Sequence, residues 1–122
     1  MIKLTFCLRR RPDMTLEEFQ QYWRTTHAAL VAERAEVLGI RRYVQFHTAD
    51  LPGLHQSMQR RNGGAPQPYD GVAELWFDSI DDFVGGGPEK IQASAELLAD
   101  ERNFIDLPNS PMWLGEENVI VG

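Results

Sequence analysis

Three segments of the chain alternate apolar and polar residues, and this alternation is the period of a β-strand. The segments cover residues 2–10, 40–48 and 71–78. In the first of them, one face consists of Ile2, Leu4, Phe6 and Leu8. Because only one face of such a strand can enter a core, the pattern predicts a sheet that is covered on one side by helices.

Two helical patterns separate the predicted strands. Thr15 and Glu18 have the spacing of a capping box at the start of the first helix, and Gly39 is its natural end. Ser79 caps a short helix that three glycines interrupt, and Pro88 begins a longer one. The apolar stripe of that longer helix is predicted to be Ile91, Ala95, Leu98 and Ile105. Residues 112–121 are predicted to form a fourth strand.

The order strand, helix, strand, strand, helix, strand is typical of a ferredoxin-like α+β fold with a four-stranded antiparallel sheet. The chain has 122 residues, which indicates a single domain over residues 1–122. Alternation assigns to the uncovered sheet face the residues Thr5, Cys7, Arg9, Tyr43, Gln45, His47, Val72, Glu74 and Trp76. This face is too aromatic for solvent, so we predict a homodimer in which a second copy covers it and residues 119–121 reach the partner.

Charge and hydropathy exclude several classes of partner. Twelve basic residues against eighteen acidic ones give a net charge of -6, which repels phosphate backbones, so nucleic acid is not expected to bind. The sequence has no apolar run of membrane-spanning length. The apolar residues near the start precede a run of arginines, the reverse of a signal peptide, and Cys7 cannot form an internal disulfide. We therefore expect a cytoplasmic protein without membrane partners.

Residues 49–70 lack any clear periodicity and contain several glycines and prolines. One short helical turn around residues 54–61 fits the pattern. A connection of this length is either a cover over a site or a plain surface excursion, and the sequence leaves both open.

Several motifs together resemble the EthD-domain family. They include Phe19, Tyr22, Trp23 and His27 on the first helix, the segment LGIRRYVQ at residues 38–45, and YDGVAELW at residues 69–76. The resemblance implies a dimeric α+β barrel, in which two ferredoxin-like sheets face each other. The family takes its name from a protein associated with bacterial ether degradation through a monooxygenase, and similar fungal domains act as decarboxylases or dehydratases of aromatic polyketides. The resemblance thus implies a fold and leaves the reaction open.

His27 is the first candidate catalytic residue. It follows Trp23 by four residues and Phe19 by eight, so it falls inside the apolar stripe of the first helix. An imidazole in that position is either a hydrogen-bonded core residue or a general acid or base that lines a cleft. A haem-binding variant of the barrel would use His27 as an axial ligand.

His47 and Glu74 are predicted to share the uncovered sheet face as an acid/base pair. The same two residues could instead be paired charges in a dimer interface, with Arg9 or Arg41 as the partner of Glu74. If the pair is catalytic, Arg9 or Arg41 would hold an anionic oxygen.

Aromatic residues are predicted to bind the substrate rather than to react with it. Tyr43 and Trp76 would form apolar walls, and the ligand would lie between the helix of Trp23 and this sheet face, with residues 49–70 at the entrance. Three further acids, Asp70, Glu101 and Asp106, are equally consistent with turns, caps or salt bridges. The histidines lack the short spacings of a metal site, so neither a metal nor another cofactor is expected.

Two functions fit these residues. The first is a cofactor-independent enzyme that acts by acid/base chemistry on a small, largely apolar and aromatic or ether-type compound, as an oxidoreductase of the monooxygenase type, a decarboxylase or an isomerase. The second is a non-catalytic accessory protein that delivers a hydrophobic compound to an oxygenase. Turnover of a candidate substrate would distinguish them.

Overall fold

The alternating segments form one antiparallel sheet in the computed structural model, which describes residues 1–122. The four strands are β1 (Ile2–Leu8), β2 (Arg42–His47), β3 (Gly71–Phe77) and β4 (Met112–Gly115). They run in the order β2-β3-β1-β4 across the sheet. The ferredoxin-like α+β fold predicted from the element order is confirmed.

The helices lie between the strands as predicted. They are α1 (Leu16–Tyr22), a π-helical turn (Trp23–His27), α2 (Ala28–Leu38), α3 (Pro52–Arg61), α4 (Ile80–Val84), α5 (Pro88–Glu101) and a 3₁₀ turn (Leu107–Asn109). The capping box before α1 is present: the Thr15 hydroxyl accepts from the Glu18 amide at 3.1 Å, and Glu18 Oε1 accepts from the Thr15 amide at 2.9 Å. Gly39 ends α2 in the left-handed conformation, with φ of 75°. None of the helices is both long and apolar enough to cross a membrane.

The strand register assigns every side chain to a sheet face. Tyr43 lies opposite Leu75, and Gln45 lies opposite Ala73. Leu75 and Ala73 in turn oppose Leu4 and Phe6, so all of these residues face the helices. The other face, which we call the open face, carries Lys3, Thr5, Cys7, Arg42, Val44, Phe46, Val72, Glu74, Trp76 and Trp113.

The prediction that Tyr43, Gln45 and His47 share the open face with Glu74 is therefore wrong. It assumed that the apolar side of β2 faces the helices. In the structure the apolar side of β2, with Val44 and Phe46, is the open one, and the polar side faces the helices. Apolarity could not distinguish the two sides of β2 because both carry an aromatic side chain, Tyr43 toward the helices and Phe46 on the open face.

The helix face contains two groups of packed apolar residues. The larger one surrounds Phe19, Trp23 and Phe104, which are almost completely buried. The smaller one consists of Ile2, Leu4 and Phe77. Burying side chains of this size contributes roughly 1.5 to 3 kcal/mol each, so the larger group fixes α1 and the π-helical turn against the sheet.

Three local predictions differ from the structure. Residues 49–70 include the ten-residue helix α3 (Pro52–Arg61) rather than one short turn. The fourth strand ends at Gly115, and residues 119–121 are highly exposed. Ile91 is predicted in the apolar stripe of α5, but it is 68% exposed. The side of α5 that faces the sheet carries several polar side chains, and a search for apolar residues does not detect such a side.

Candidate active site

A cavity of about 290 Å³ lies between the helix face of the sheet and helices α2 and α5. Its walls are mostly apolar and come from all four strands and from the helices above them. The polar side chains that line it are His27, Tyr43, Lys90, Ser94 and Glu101. A mostly apolar cavity with a few converging polar groups is the usual form of a small-molecule site.

The π-helical turn positions His27 at this cavity. The Ala28 amide donates to the Trp23 carbonyl, five residues back, and the same carbonyl accepts from Gln45 Nε2 of β2 at 2.9 Å. Both Trp23 and His27 are buried by this turn. Single π-helical turns inside α-helices often occur at functional sites, and here the turn is held by a side chain from the sheet.

The His27 ring is oriented by Asp100 at the end of α5. His27 Nδ1 lies 2.8 Å from Asp100 Oδ2, and both side chains are nearly buried. Asp100 Oδ1 accepts hydrogen bonds from the Tyr22 hydroxyl at 2.5 Å and from Asn103 Nδ2 at 3.3 Å. A carboxylate with three donors is therefore fixed against one nitrogen of the imidazole.

The charge states of this pair follow from their surroundings. Burial raises the pKa of Asp100, but the hydrogen bonds from Tyr22, His27 and Asn103 outweigh it, and the net pKa is lowered. Burial lowers the pKa of His27, and the bond to Asp100 only partly opposes this. At neutral pH Asp100 is thus ionised and His27 is uncharged.

These charges also determine the tautomer of His27. An ionised carboxylate can only accept hydrogen bonds, so Nδ1 carries the imidazole proton. The other nitrogen, Nε2, has a free lone pair and makes no hydrogen bond within the protein. His27 lines the cavity, so Nε2 is available there as a general base.

Glu101 supplies a carboxyl group of a different kind. Its pKa is raised to about 7 by burial and by the neighbouring charge of Asp100, which Arg102 only partly offsets. The Glu101 carboxyl makes no hydrogen bond or ion pair within the protein. Near neutral pH it is therefore partly protonated and can donate a proton into the cavity.

Tyr43 adds a hydroxyl that is oriented by the sheet. Gln45 Nε2 donates to the Tyr43 hydroxyl at 2.8 Å, so the Tyr43 oxygen acts as acceptor in that bond. Burial raises the pKa of Tyr43, which keeps the phenol protonated. Its O–H has no acceptor within the protein, and Tyr43 lines the cavity, so this proton is free for a ligand oxygen.

His47 lies on the same side of the sheet as His27 but outside the cavity lining. Its ring packs on Trp23 with centroids 4.4 Å apart, and its Nε2 lies 2.8 Å from Gln45 Oε1. Burial and the charge of Arg24 lower its pKa. His47 thus contacts the side chain that orients Tyr43, and it does not meet Glu74, which is on the opposite face.

Glu74, Trp76 and Arg9 are placed away from the cavity. Glu74 forms an ion pair with Lys3 at 3.1 Å on the open face. The Trp76 indole donates to Glu117 at 2.6 Å on the same face. Arg9 donates to the carbonyl of Pro68 at 2.6 Å and lies over the Tyr69 ring. None of the residues 49–70 lines the cavity, so the predicted entrance is wrong.

The sequence interpretation missed the roles of Asp100, Glu101 and Gln45. The sequence indicates Glu101 only as a possible turn, cap or salt-bridge residue, places Gln45 on the uncovered face, and assigns no role to Asp100. One signal was present: Lys90, Ser94 and Glu101 recur at helical spacing, which places three polar residues on the inward face of α5.

Comparison with known proteins identifies the family. The EthD domain model matches residues 11–108. The chain belongs to the EthD-domain family. It is 26% identical over 121 residues to "Dehydratase aurZ" of Gibberella zeae, covering 94% of this chain and 76% of that protein. It is 27% identical over 119 residues to "Conidial pigment biosynthesis dehydratase EthD" of Metarhizium robertsii, covering 94% and 81%.

A solved structure supports the fold. A dimeric protein of unknown function with a ferredoxin-like fold from Bacteroides fragilis matches with a TM-score of 0.56 and 19% identity, covering 95% of each chain. At this identity the similarity extends to the fold alone.

Proposed function

We propose that this EthD-domain protein is a dehydratase that acts on a small, largely apolar β-hydroxy carbonyl compound. The observation that carries the proposal is the pairing, in one apolar cavity, of a neutral His27 with a partly protonated Glu101. Elimination of water needs a base and an acid of this kind at the same substrate. Two curated relatives are named dehydratases, which favours this lyase reaction over an oxidoreductase.

Each cavity group has one task in the reaction. His27 Nε2 removes the proton from the carbon next to the substrate carbonyl, and Asp100 stabilises the imidazolium that forms. Tyr43 donates its O–H to the carbonyl oxygen as negative charge develops there. The C=C bond then forms while the C–O bond to the β-hydroxyl breaks, and Glu101 gives its proton to that oxygen to release water. Proton transfer from His27 to Glu101 through solvent restores the starting state.

The proposal can be tested with one β-hydroxy ketone, one variant of the proposed base and one control variant. 3-Hydroxy-1-tetralone is a β-hydroxy ketone that becomes fluorescent 1-naphthol when it loses water. The wild-type protein should form 1-naphthol, and His27→Gln should lower the rate by about 10² or more, since a positioned general base contributes that much. His55→Gln is the control, because this imidazole lies on α3, outside the cavity and away from the groups that line it. Binding of the tetralone without any turnover would instead support the accessory, ligand-delivering function.

We also propose that the open face is covered by a second copy of the chain. Phe46 and Trp113 lie on this face and are 61% and 54% exposed. The matched Bacteroides protein is described as dimeric. Two such faces packed together would remove these aromatic side chains from water and stabilise a homodimer.

Light scattering tests this assembly. We expect a particle of twice 13.9 kDa for the wild type, and a shift toward monomer for Trp113→Asp. Ile91→Asp places the same charge on an exposed helix position outside the open face and should leave the dimer intact. A wild-type monomer at micromolar concentration would contradict the proposal.

A further inference from the structure

One wall of the cavity is the inward stripe of α5. Lys90, Ser94, Leu97 and Glu101 all line the cavity, and at about 100° per residue they fall on one side of the helix. At a rise of 1.5 Å per residue, Lys90 and Glu101 are separated by about 16 Å along the helix axis. The cavity therefore has a carboxyl group at one end of this helix and an ammonium group at the other.

Lys90 lies at the end of the cavity that is next to α4. Its Nζ donates to the carbonyl of Asp82. The neighbouring Phe83 packs on Phe77, the last residue of β3, with ring centroids 5.1 Å apart. His27 instead packs on Phe104, just beyond the end of α5, with centroids 5.0 Å apart. The two charged ends of the cavity are thus fixed by different parts of the fold.

The Lys90 ammonium has no carboxylate partner. None of the ion pairs of the protein includes Lys90. An ammonium group has three donors, and the Asp82 carbonyl uses one of them. Ser94, one turn further along the stripe, adds a hydroxyl on the same wall. A cation without a counter-ion beside an apolar cavity is a site for an anionic group of a ligand.

We propose that Lys90, assisted by Ser94, binds an acidic group of the substrate, a carboxylate or phenolate, at the end of the molecule remote from the carbon that loses water. This inference deepens the proposed dehydratase function and defines its substrates as elongated apolar compounds with one acidic group. Asp100 strengthens the selection of orientation, because this ionised carboxylate beside His27 repels an anion from the His27 end. Lys90 is thus a specificity-determining residue.

Two probes of the same shape test the subsite without any need for turnover. 2-Naphthoate carries a carboxylate, and 2-naphthamide replaces it with a neutral amide. Calorimetric titration at pH 8 should show that the wild-type protein binds naphthoate about tenfold more tightly, the effect of one charge-assisted hydrogen bond. Lys90→Met should abolish this preference while naphthamide still binds. Arg60→Met removes a cation from α3, away from the cavity, and should keep the tenfold preference for naphthoate.

Three results would overturn the subsite. They are equal binding of the two probes by the wild type, no detectable binding of naphthoate, or an unchanged preference in Lys90→Met. If the preference persists in Lys90→Met but disappears in His27→Gln, the anion binds at the other end. The two proposals remain separable: a protein that forms 1-naphthol but shows no preference for naphthoate keeps the dehydratase function and loses the subsite. A protein that prefers naphthoate through Lys90 but forms no 1-naphthol keeps the subsite and loses the dehydratase function.

Discussion

Replacing Asp100 by asparagine should invert the tautomer of His27. The new side chain keeps the size of Asp100 but presents an amide, which can accept from Tyr22 with its oxygen while its NH₂ group faces His27 Nδ1. Nδ1 must then accept a hydrogen bond, so the imidazole proton moves to Nε2. The nitrogen that faces the cavity would lose its lone pair and with it the ability to act as a base.

The size of the effect follows from the contacts of Asp100. Loss of the correct tautomer in an oriented histidine lowers catalytic rates by about 10²–10⁴. The substitution also removes charge from hydrogen bonds with Tyr22, His27 and Asn103, which costs about 2 kcal/mol of unfolding free energy. For a chain of this length that corresponds to a decrease of about 8 °C in melting temperature. The protein should therefore remain folded at 25 °C.

Imidazole ¹⁵N spectra measure the tautomer directly and require no substrate. The His27 signals can be assigned by their absence in His27→Gln. At pH 7.5 the wild type should carry its proton on Nδ1 and Asp100→Asn on Nε2, with Asp81→Asn as a control on exposed helix α4. A wild type protonated on Nε2, or the same tautomer in both proteins, would show that Asp100 does not determine the tautomer of His27.

Three further predictions concern stability and activity. Burial raises the folded pKa of Glu101 from 4.5 to about 7, so stability is lost as pH rises from 4.5 to about 7, where the unfolded chain has released a proton that the folded chain still holds; Glu101→Gln should be more stable than the wild type by about 2 kcal/mol at pH 8 and not at pH 4, as melting curves at both pH values would show. Gly71→Ala should cost about 2 kcal/mol in urea unfolding, because a Cβ there would lie 2.8 Å from Cη2 of the buried Trp23; an unchanged midpoint would contradict this. Tyr43→Phe should lower kcat for 3-hydroxy-1-tetralone by about 10², with a melting temperature within a few degrees of wild type; equal kcat values would remove Tyr43 from the mechanism.

Much of the fold could be predicted from local sequence signals. The capping box at Thr15 and Glu18, the left-handed Gly39 and the strand alternation each depend on neighbouring residues only, so they can be recognised without coordinates. The orientation of β2 could not. Its apolar side faces away from the helices, and only the pairing of Tyr43 with Leu75 shows this.

The candidate site was less predictable because its residues are brought together by contacts between distant parts of the chain. The position of His27 in the apolar stripe indicated a buried imidazole, but the sequence left its role open. Its partner Asp100 is 73 residues away in the chain, and the bond between them depends on how α5 packs against the π-helical turn. The predicted pair of His47 and Glu74 failed because a shift of one residue in face assignment moves a side chain across the sheet.

The pH dependence of water elimination tests the central claim, that His27 and Glu101 act as base and acid in one cavity. The measurement is kcat/KM for 1-naphthol formation from 3-hydroxy-1-tetralone, for the wild type and Glu101→Gln. Wild-type kcat/KM should fall as pH rises through about 7, when Glu101 loses its proton, and fall again in acid, when His27 gains one. Glu101→Gln should be about 10² slower and should lack the fall near pH 7. A variant with the wild-type rate, or with the same fall near pH 7, would show that Glu101 is not the acid of this reaction.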